Sequence, residues 1–203
     1  MKECKLEGNK MLDARIVDMI KNGKGFVGIL AGSGSDDKAP DDKKPSHIGK
    51  IVEGVETFRI PYGVNVYSAH KQPTAVLEII GEYNQLAHPI LLVAVAGGTD
   101  ALSGTAAWHS IHPVLSCPPD APNQSCLTNP PGSSNIYIAR PGDVGRVAAQ
   151  MFSHLDPAYA KALRDGNDKK VAELLEDNTR INGAYLNRMV AKYAPQPAQQ
   201  GGQ

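Results

Sequence analysis

Apolar residues along this chain alternate between two spacings. Short, nearly unbroken apolar runs occupy Phe26–Ala31 and Ile90–Ala96. Runs of that length bounded by turn residues suit strands buried on both faces. Shorter runs at Val64–Tyr67, Val114–Cys117 and Ile136–Ala139 predict three more strands. Between them the spacing becomes helical. Met11, Leu12, Ile16, Val17, Met19 and Ile20 mark a helix over 11–22, stopped by Gly23 and Gly25. Ile48, Ile51, Val52, Val55 and Phe58 mark a second, and Val76, Leu77, Ile79, Ile80, Tyr83 and Leu86 a third. Further helices are predicted over 101–111, 142–154, 157–165 and 168–191.

Strands that alternate with helices predict an α/β fold, a parallel sheet with helices on both faces. The expected organisation is an N-terminal helical extension over 1–25, an α/β domain over 26–155 and C-terminal helices over 156–194. Those last helices are expected to pack on the domain or on a neighbouring subunit. The polar stretch 37–47 reads as a solvated loop or a late helix start, and 195–203, with no apolar content to bury, as a disordered tail.

Composition narrows the partners. Twenty-one basic residues balance 21 acidic ones, so no surplus charge points to nucleic acid. No apolar run approaches a membrane span, and the N-terminus is too charged for a secretory signal. Three cysteines, Cys4, Cys117 and Cys126, form no disulfide framework and fit a reducing, cytoplasmic setting. A small anionic substrate remains open, because a pocket needs only a few donors.

In parallel α/β folds, ligands bind beyond the carboxyl ends of the strands. Three polar turns fall there. Gly32-Ser33-Gly34-Ser35-Asp36 offers hydroxyls and backbone N–H groups suited to a phosphate, or a plain strand-to-helix turn. It lacks the third glycine of a dinucleotide fingerprint and the Gly-Lys-Ser/Thr of a Walker loop. Ser68-Ala69-His70-Lys71 sets a titratable imidazole beside a cation. Ala96-Gly97-Gly98-Thr99-Asp100 lets a ligand approach the backbone closely. His109 and His112 lack the further ligands of a metal site. Cys117 reads as a small core hydrophobe, and Trp108 is expected to pack.

The order of these pieces is similar to the AIR carboxylase and carboxyaminoimidazole ribonucleotide mutase family. The resemblance is carried by Gly32–Asp36, Ser68–Lys71, Ala96–Gly104, Ser116-Cys117-Pro118-Pro119, Pro130-Pro131-Gly132 and Ala148–Phe152, and spans about Phe26 to His154. Lys71 in place of an arginine, Ala101 in place of a histidine, and Ser116–Pro119 resemble the carbon-dioxide-using, class II branch. The resemblance implies a flavodoxin-like three-layer sandwich and a homo-octamer with sites built from neighbouring subunits. It implies carboxylation of 5-aminoimidazole ribonucleotide in purine biosynthesis, without metal or cofactor. His70 would be the acid/base. Ser33, Ser35 and Lys71 would bind phosphate, and Asp36 the ribose. Ser68, Gly97, Thr99 and Leu102 would hold the ring and the carboxylate.

The chain departs from the family pattern in a changed Ser125–Pro130 run, a longer stretch after Asp36, an extra N-terminal helix and two further places that bear most on the site. Gly98-Thr99-Asp100 stands where the branch has arginine-serine-asparagine, which is expected to change the pocket charge. The segment after Pro119, which helps cover the site, is several residues shorter than usual. A divergent paralogue acting on another carboxylated compound, the mutase activity, and a non-enzymatic nucleotide-binding module therefore stand as alternatives. Intact His70 and Lys71 favour an enzyme.

Overall fold

The computed structural model describes residues 10–37 and 44–194. The expected tail over 195–203, most of the polar stretch after Asp37 and the first nine residues lie outside them. By contact density the chain divides into two compact units, 1–160 and 161–203.

The first unit is built on five parallel strands: β1 (Phe26–Ala31), β2 (Tyr62–Val66), β3 (Ile90–Val95), β4 (Val114–Ser116) and β5 (Ile136–Tyr137). Their spatial order is β2-β1-β3-β4-β5. Every neighbouring pair is parallel, with Ala31 level with Val66 on one side and Val95 on the other. This is the flavodoxin-like order, and its direction reverses between β1 and β3. Both strands are buried along their whole length, as strands covered on two faces require.

Helices α1 (Ala14–Asn22), α2 (His47–Thr57), α3 (Pro73–Asn84), α4 (Leu102–His109) and α5 (Val144–Phe152) supply the cover. One core joins Phe26, Leu30, Ile90, Leu92 and Ala94 to Val76, Ile79, Ile80 and Tyr83 of α3, Leu102 and Ala106 of α4, and Ile20 of α1. Strand residues of the other parity must face the opposite way, where α2 packs against α5. Those two helices cross at glycines: a Cβ on Gly145 would lie 1.9 Å from the Gly54 carbonyl oxygen. The N-terminal segment is tied down by Glu82 of α3, whose carboxylate accepts the Met11 and Leu12 N–H groups at 2.7 and 2.8 Å.

The expected pair of C-terminal helices is instead one helix, α6 (Pro157–Tyr193). Gly166 and Asn167 look like a break in sequence. A glycine in an exposed helix costs only about 1 kcal/mol, however, and the ion pairs Lys161–Asp165 and Lys170–Glu173 support the turns on either side of it. Beyond residue 160 the helix is solvent-exposed along most of its length. Among the described residues no helix is long and apolar enough to cross a membrane.

Candidate active site

The site is built at the carboxyl ends of β1, β2 and β3. Backbone hydrogen bonds extend the sheet one step past the strands: Gly32 N–H donates to Val95 O at 2.8 Å, and Tyr67 N–H to Ala31 O at 2.9 Å. The three polar turns therefore leave the sheet side by side. They enclose a cavity of about 290 Å³. Ser33, Ser35 and Asp36 of the first turn line it, with Ser68, His70 and Lys71 of the second and Gly97, Thr99 and Leu102 of the third. All nine residues singled out in the sequence thus meet in one crevice, at the switch point between β1 and β3.

The first turn closes on itself. The Asp36 carboxylate accepts Ser33 N–H at 2.8 Å, and the Asp36 N–H donates back to Ser33 O at 3.1 Å. The Ser33 and Ser35 hydroxyls lie 2.5 Å apart and bond to each other. One Asp36 oxygen is thereby occupied with the turn.

The second turn runs into α3. Lys71 and Gln72 N–H groups both donate to Ser68 O, at 3.2 and 2.7 Å, and Pro73 opens the helix at a position where its missing N–H costs nothing. His70 and Lys71 stay exposed at the cavity's edge. The amino ends of α3 and α4 both follow cavity turns, so their partial positive charge favours an anion there. Among the described residues Lys71 is the single cationic side chain on the wall and Asp36 the single carboxylate.

The third turn depends on Gly98, whose φ of +67° lies in the left-handed region that glycine adopts without penalty. Asp100 is not on the cavity wall, and the expected change in pocket charge does not arise from it. Asp100 is 5% exposed and turns into the protein, where its Oδ1 accepts the Ser103 N–H at 2.9 Å at the start of α4. A carboxylate at a helix start satisfies an otherwise orphaned N–H, which is why it sits there rather than in the crevice. Trp108, expected to pack, is 62% exposed on α4. The α4 core positions are taken by Leu102, Ser103 and Ala106, which leaves the indole on the outer face.

Beneath the first turn lies a residue the sequence reading passed over. His47, the first residue of α2, places Nε2 2.9 Å from Cys117 O. Burial holds its imidazolium below the usual range; the Cys117 carbonyl, Asp36 and Asp37 work against that shift. No apolar rhythm marks His47, and only the fold brings it to the end of β4. Cys117 itself is fully buried, as expected, and burial pushes its thiol up to about 12. It is no nucleophile. Among the described residues no group of three or more His, Cys, Asp or Glu is placed to hold a metal ion.

Comparison with known proteins gives the same direction. The family model described as AIR carboxylase matches residues 26–173. A phosphoribosylaminoimidazole carboxylase of Treponema denticola is 29% identical over 162 residues, covering 77% of this chain and 97% of that protein. One of Archaeoglobus fulgidus is 28% identical, covering 83% and 88%. The crystal structure of Treponema denticola PurE superposes with a TM-score of 0.69 at 29% identity, over 77% of this chain and 98% of that one.

Proposed function

The chain belongs to the AIR carboxylase family, and from that premise we propose that it carboxylates 5-aminoimidazole ribonucleotide with carbon dioxide, reversibly, as a carboxy-lyase of purine biosynthesis. The observation that carries this is the meeting of His70 and Lys71 with the paired Ser33 and Ser35 hydroxyls in one crevice.

The substrate's exocyclic amine pushes electron density into the imidazole, and ring carbon 4 attacks carbon dioxide. The new carbon–carbon bond leaves a tetrahedral carbon bearing both hydrogen and carboxylate. A base must take that hydrogen so that the electron pair returns to the ring. His70 takes it, and in decarboxylation gives it back. The ring is its own electron sink, so the protein's work is to hold, orient and move one proton. Ser33, Ser35 and Lys71 hold the phosphate, aided by the helix ends, and Asp36 takes a ribose hydroxyl. Ser68, Leu102 and the Gly97–Thr99 turn hold the ring and its carboxylate.

Lys71, Ala101 and the Ser116–Pro119 run support direct use of carbon dioxide over the mutase reaction, and the matched relatives carry carboxylase names. The replaced Gly98-Thr99-Asp100 run is the observation that favours a second reading, a paralogue acting on another carboxylated compound.

The test is decarboxylation of the carboxylated imidazole nucleotide, followed by absorbance. Wild-type enzyme is expected to turn it over with no added metal or nucleoside triphosphate. His70→Asn should cut the rate by about 10²–10⁴-fold while nucleotide affinity stays within about tenfold. Equal loss of rate and affinity removes His70 from the acid/base role. A wild-type enzyme that leaves the nucleotide untouched favours the paralogue.

A further inference from the structure

Asp120, Asn123 and Ser125 stand outside the cavity wall, in the segment between β4 and β5, yet they bond the third turn at both of its central peptides. The Gly98 N–H donates to Asp120 Oδ2 at 2.8 Å, and the Gly98 carbonyl accepts from Asn123 Nδ2 at 3.0 Å. The same Asn123 amide donates its second hydrogen to Asp120 Oδ1 at 2.9 Å, locking the two grips together. Asn123 Oδ1 accepts the Ser125 N–H at 2.8 Å, and Ser125 Oγ accepts the Asp100 N–H at 2.8 Å. Asn123 is 7% exposed, so its amide is committed to this network rather than to water.

Two neighbouring glycines would otherwise leave residues 97–99 free to sample many conformations. The grips take the Gly98 N–H and carbonyl and the Asp100 N–H. Among the described residues no acceptor engages the Gly97 or Thr99 N–H, and both residues line the cavity. We propose that Asp120 and Asn123 are positioning residues that lock the third turn so that the Gly97 and Thr99 N–H groups stand ready for the substrate's carboxylate. This rests on the imidazole-nucleotide reading for the ligand, but not for the lock itself. The charge balance is consistent. Burial alone would raise the Asp120 carboxyl, but the Gly98 N–H and the Asn123 amide outweigh it and hold it below the usual range, so it is a full acceptor at neutral pH.

Two measurements separate the lock from the reading. In steady-state decarboxylation, Asp120→Ala and Asn123→Ala should each raise KM for the carboxylated nucleotide about tenfold. Affinity for the uncarboxylated nucleotide, which offers no carboxylate to the turn, should stay within about twofold. Asp120→Asn keeps an oxygen for the Gly98 N–H and should recover part of the loss. Equal weakening for both nucleotides, or for neither, overturns the positioning role. Hydrogen exchange at Gly98 judges the lock without any substrate: slow exchange in the wild type should become fast in Asp120→Ala. Fast exchange in the wild type, or no change in the variant, overturns the lock. Failure of the wild type to act on the nucleotide, with Gly98 still protected, sinks the functional reading instead.

Discussion

At the scale of single residues, the site divides into groups legible in sequence and groups that are not. His70 and Lys71 stand out because a titratable ring and a cation follow a predicted strand directly, and position in an α/β fold then says where they go. His47 has no such signal. It bonds Cys117 O, 70 residues away in sequence, behind the cavity-lining turns. Asp120 and Asn123 likewise look like ordinary loop residues until the fold sets them against Gly98. Asp100 was legible as a change but not in its direction, because a carboxylate three residues ahead of an N–H at a helix start has a local partner to satisfy. His47 also makes a pH prediction. Its imidazolium is disfavoured by burial in the folded state, from an ordinary value of 6.5. The unfolded chain therefore binds the extra proton first. Its contribution to stability is full above about pH 6.5 and declines as pH falls from there toward the folded-state value. Lys50 adds to this shift, and Asp36 and Asp37 oppose it. Thermal melts at pH 7.5 and 5.5 should show the loss, and His47→Gln, which can still donate to Cys117 O, should shrink the difference between the two melts. An unchanged difference removes His47 as its source.

At the scale of elements, the strands and helices α1, α2 and α3 were readable because their apolar rhythms agree with their tertiary roles. Contacts made by the absence of a side chain were not readable. The α2–α5 crossing needs Gly54 and Gly145 together: a Cβ on Gly54 would lie 2.5 Å from the Gly142 carbonyl oxygen, and one on Gly145 would meet Gly54 backbone. Backbone cannot step aside as a flexible side chain can, so the helices would have to part. Gly145→Ala should cost about 1–3 kcal/mol, the usual penalty of overpacking, and lower Tm by roughly 2–12 °C for a domain of this size. Gly166→Ala in α6, where nothing lies within 4 Å of the added Cβ, should instead gain about 0.5–1 kcal/mol. Calorimetry on the two variants reads the sign directly. A neutral Gly145→Ala would mean the crossing is looser than the backbone distances imply. The same weak cost explains why α6 runs unbroken through a glycine that, in sequence, looked like its end.

At the scale of the whole molecule, α6 raises a question the first unit does not. Val171, Leu174, Leu175, Ile181, Tyr185, Leu186, Met189 and Val190 are all between 47% and 67% exposed. At 100° per residue they fall on one side of the helix, while Glu173, Asp177, Arg180 and Arg188 fall on the other. The apolar side covers 171–190 and is interrupted by Asn178 and Asn182; a helix segment of this kind gains most of its stability by burying that side. Each square ångström left in water forgoes about 25 cal/mol. A stripe of this kind marks a surface meant to be covered, and a second copy of the chain is the occupant we propose. A closed assembly is the usual way a protein covers such a surface without open-ended growth. Light scattering on the purified chain should therefore give a discrete oligomer at micromolar concentration. Replacing Leu174 and Tyr185 together by Glu, on the apolar side of the helix, should lower the mass to that of smaller species while the far-ultraviolet spectrum and the melt of the α/β body persist. A wild-type monomer would overturn the proposal. An unchanged mass in the double variant would place the subunit contacts on other surfaces, with Trp108 and Ile111, 62% and 73% exposed on and beside α4, the next to substitute.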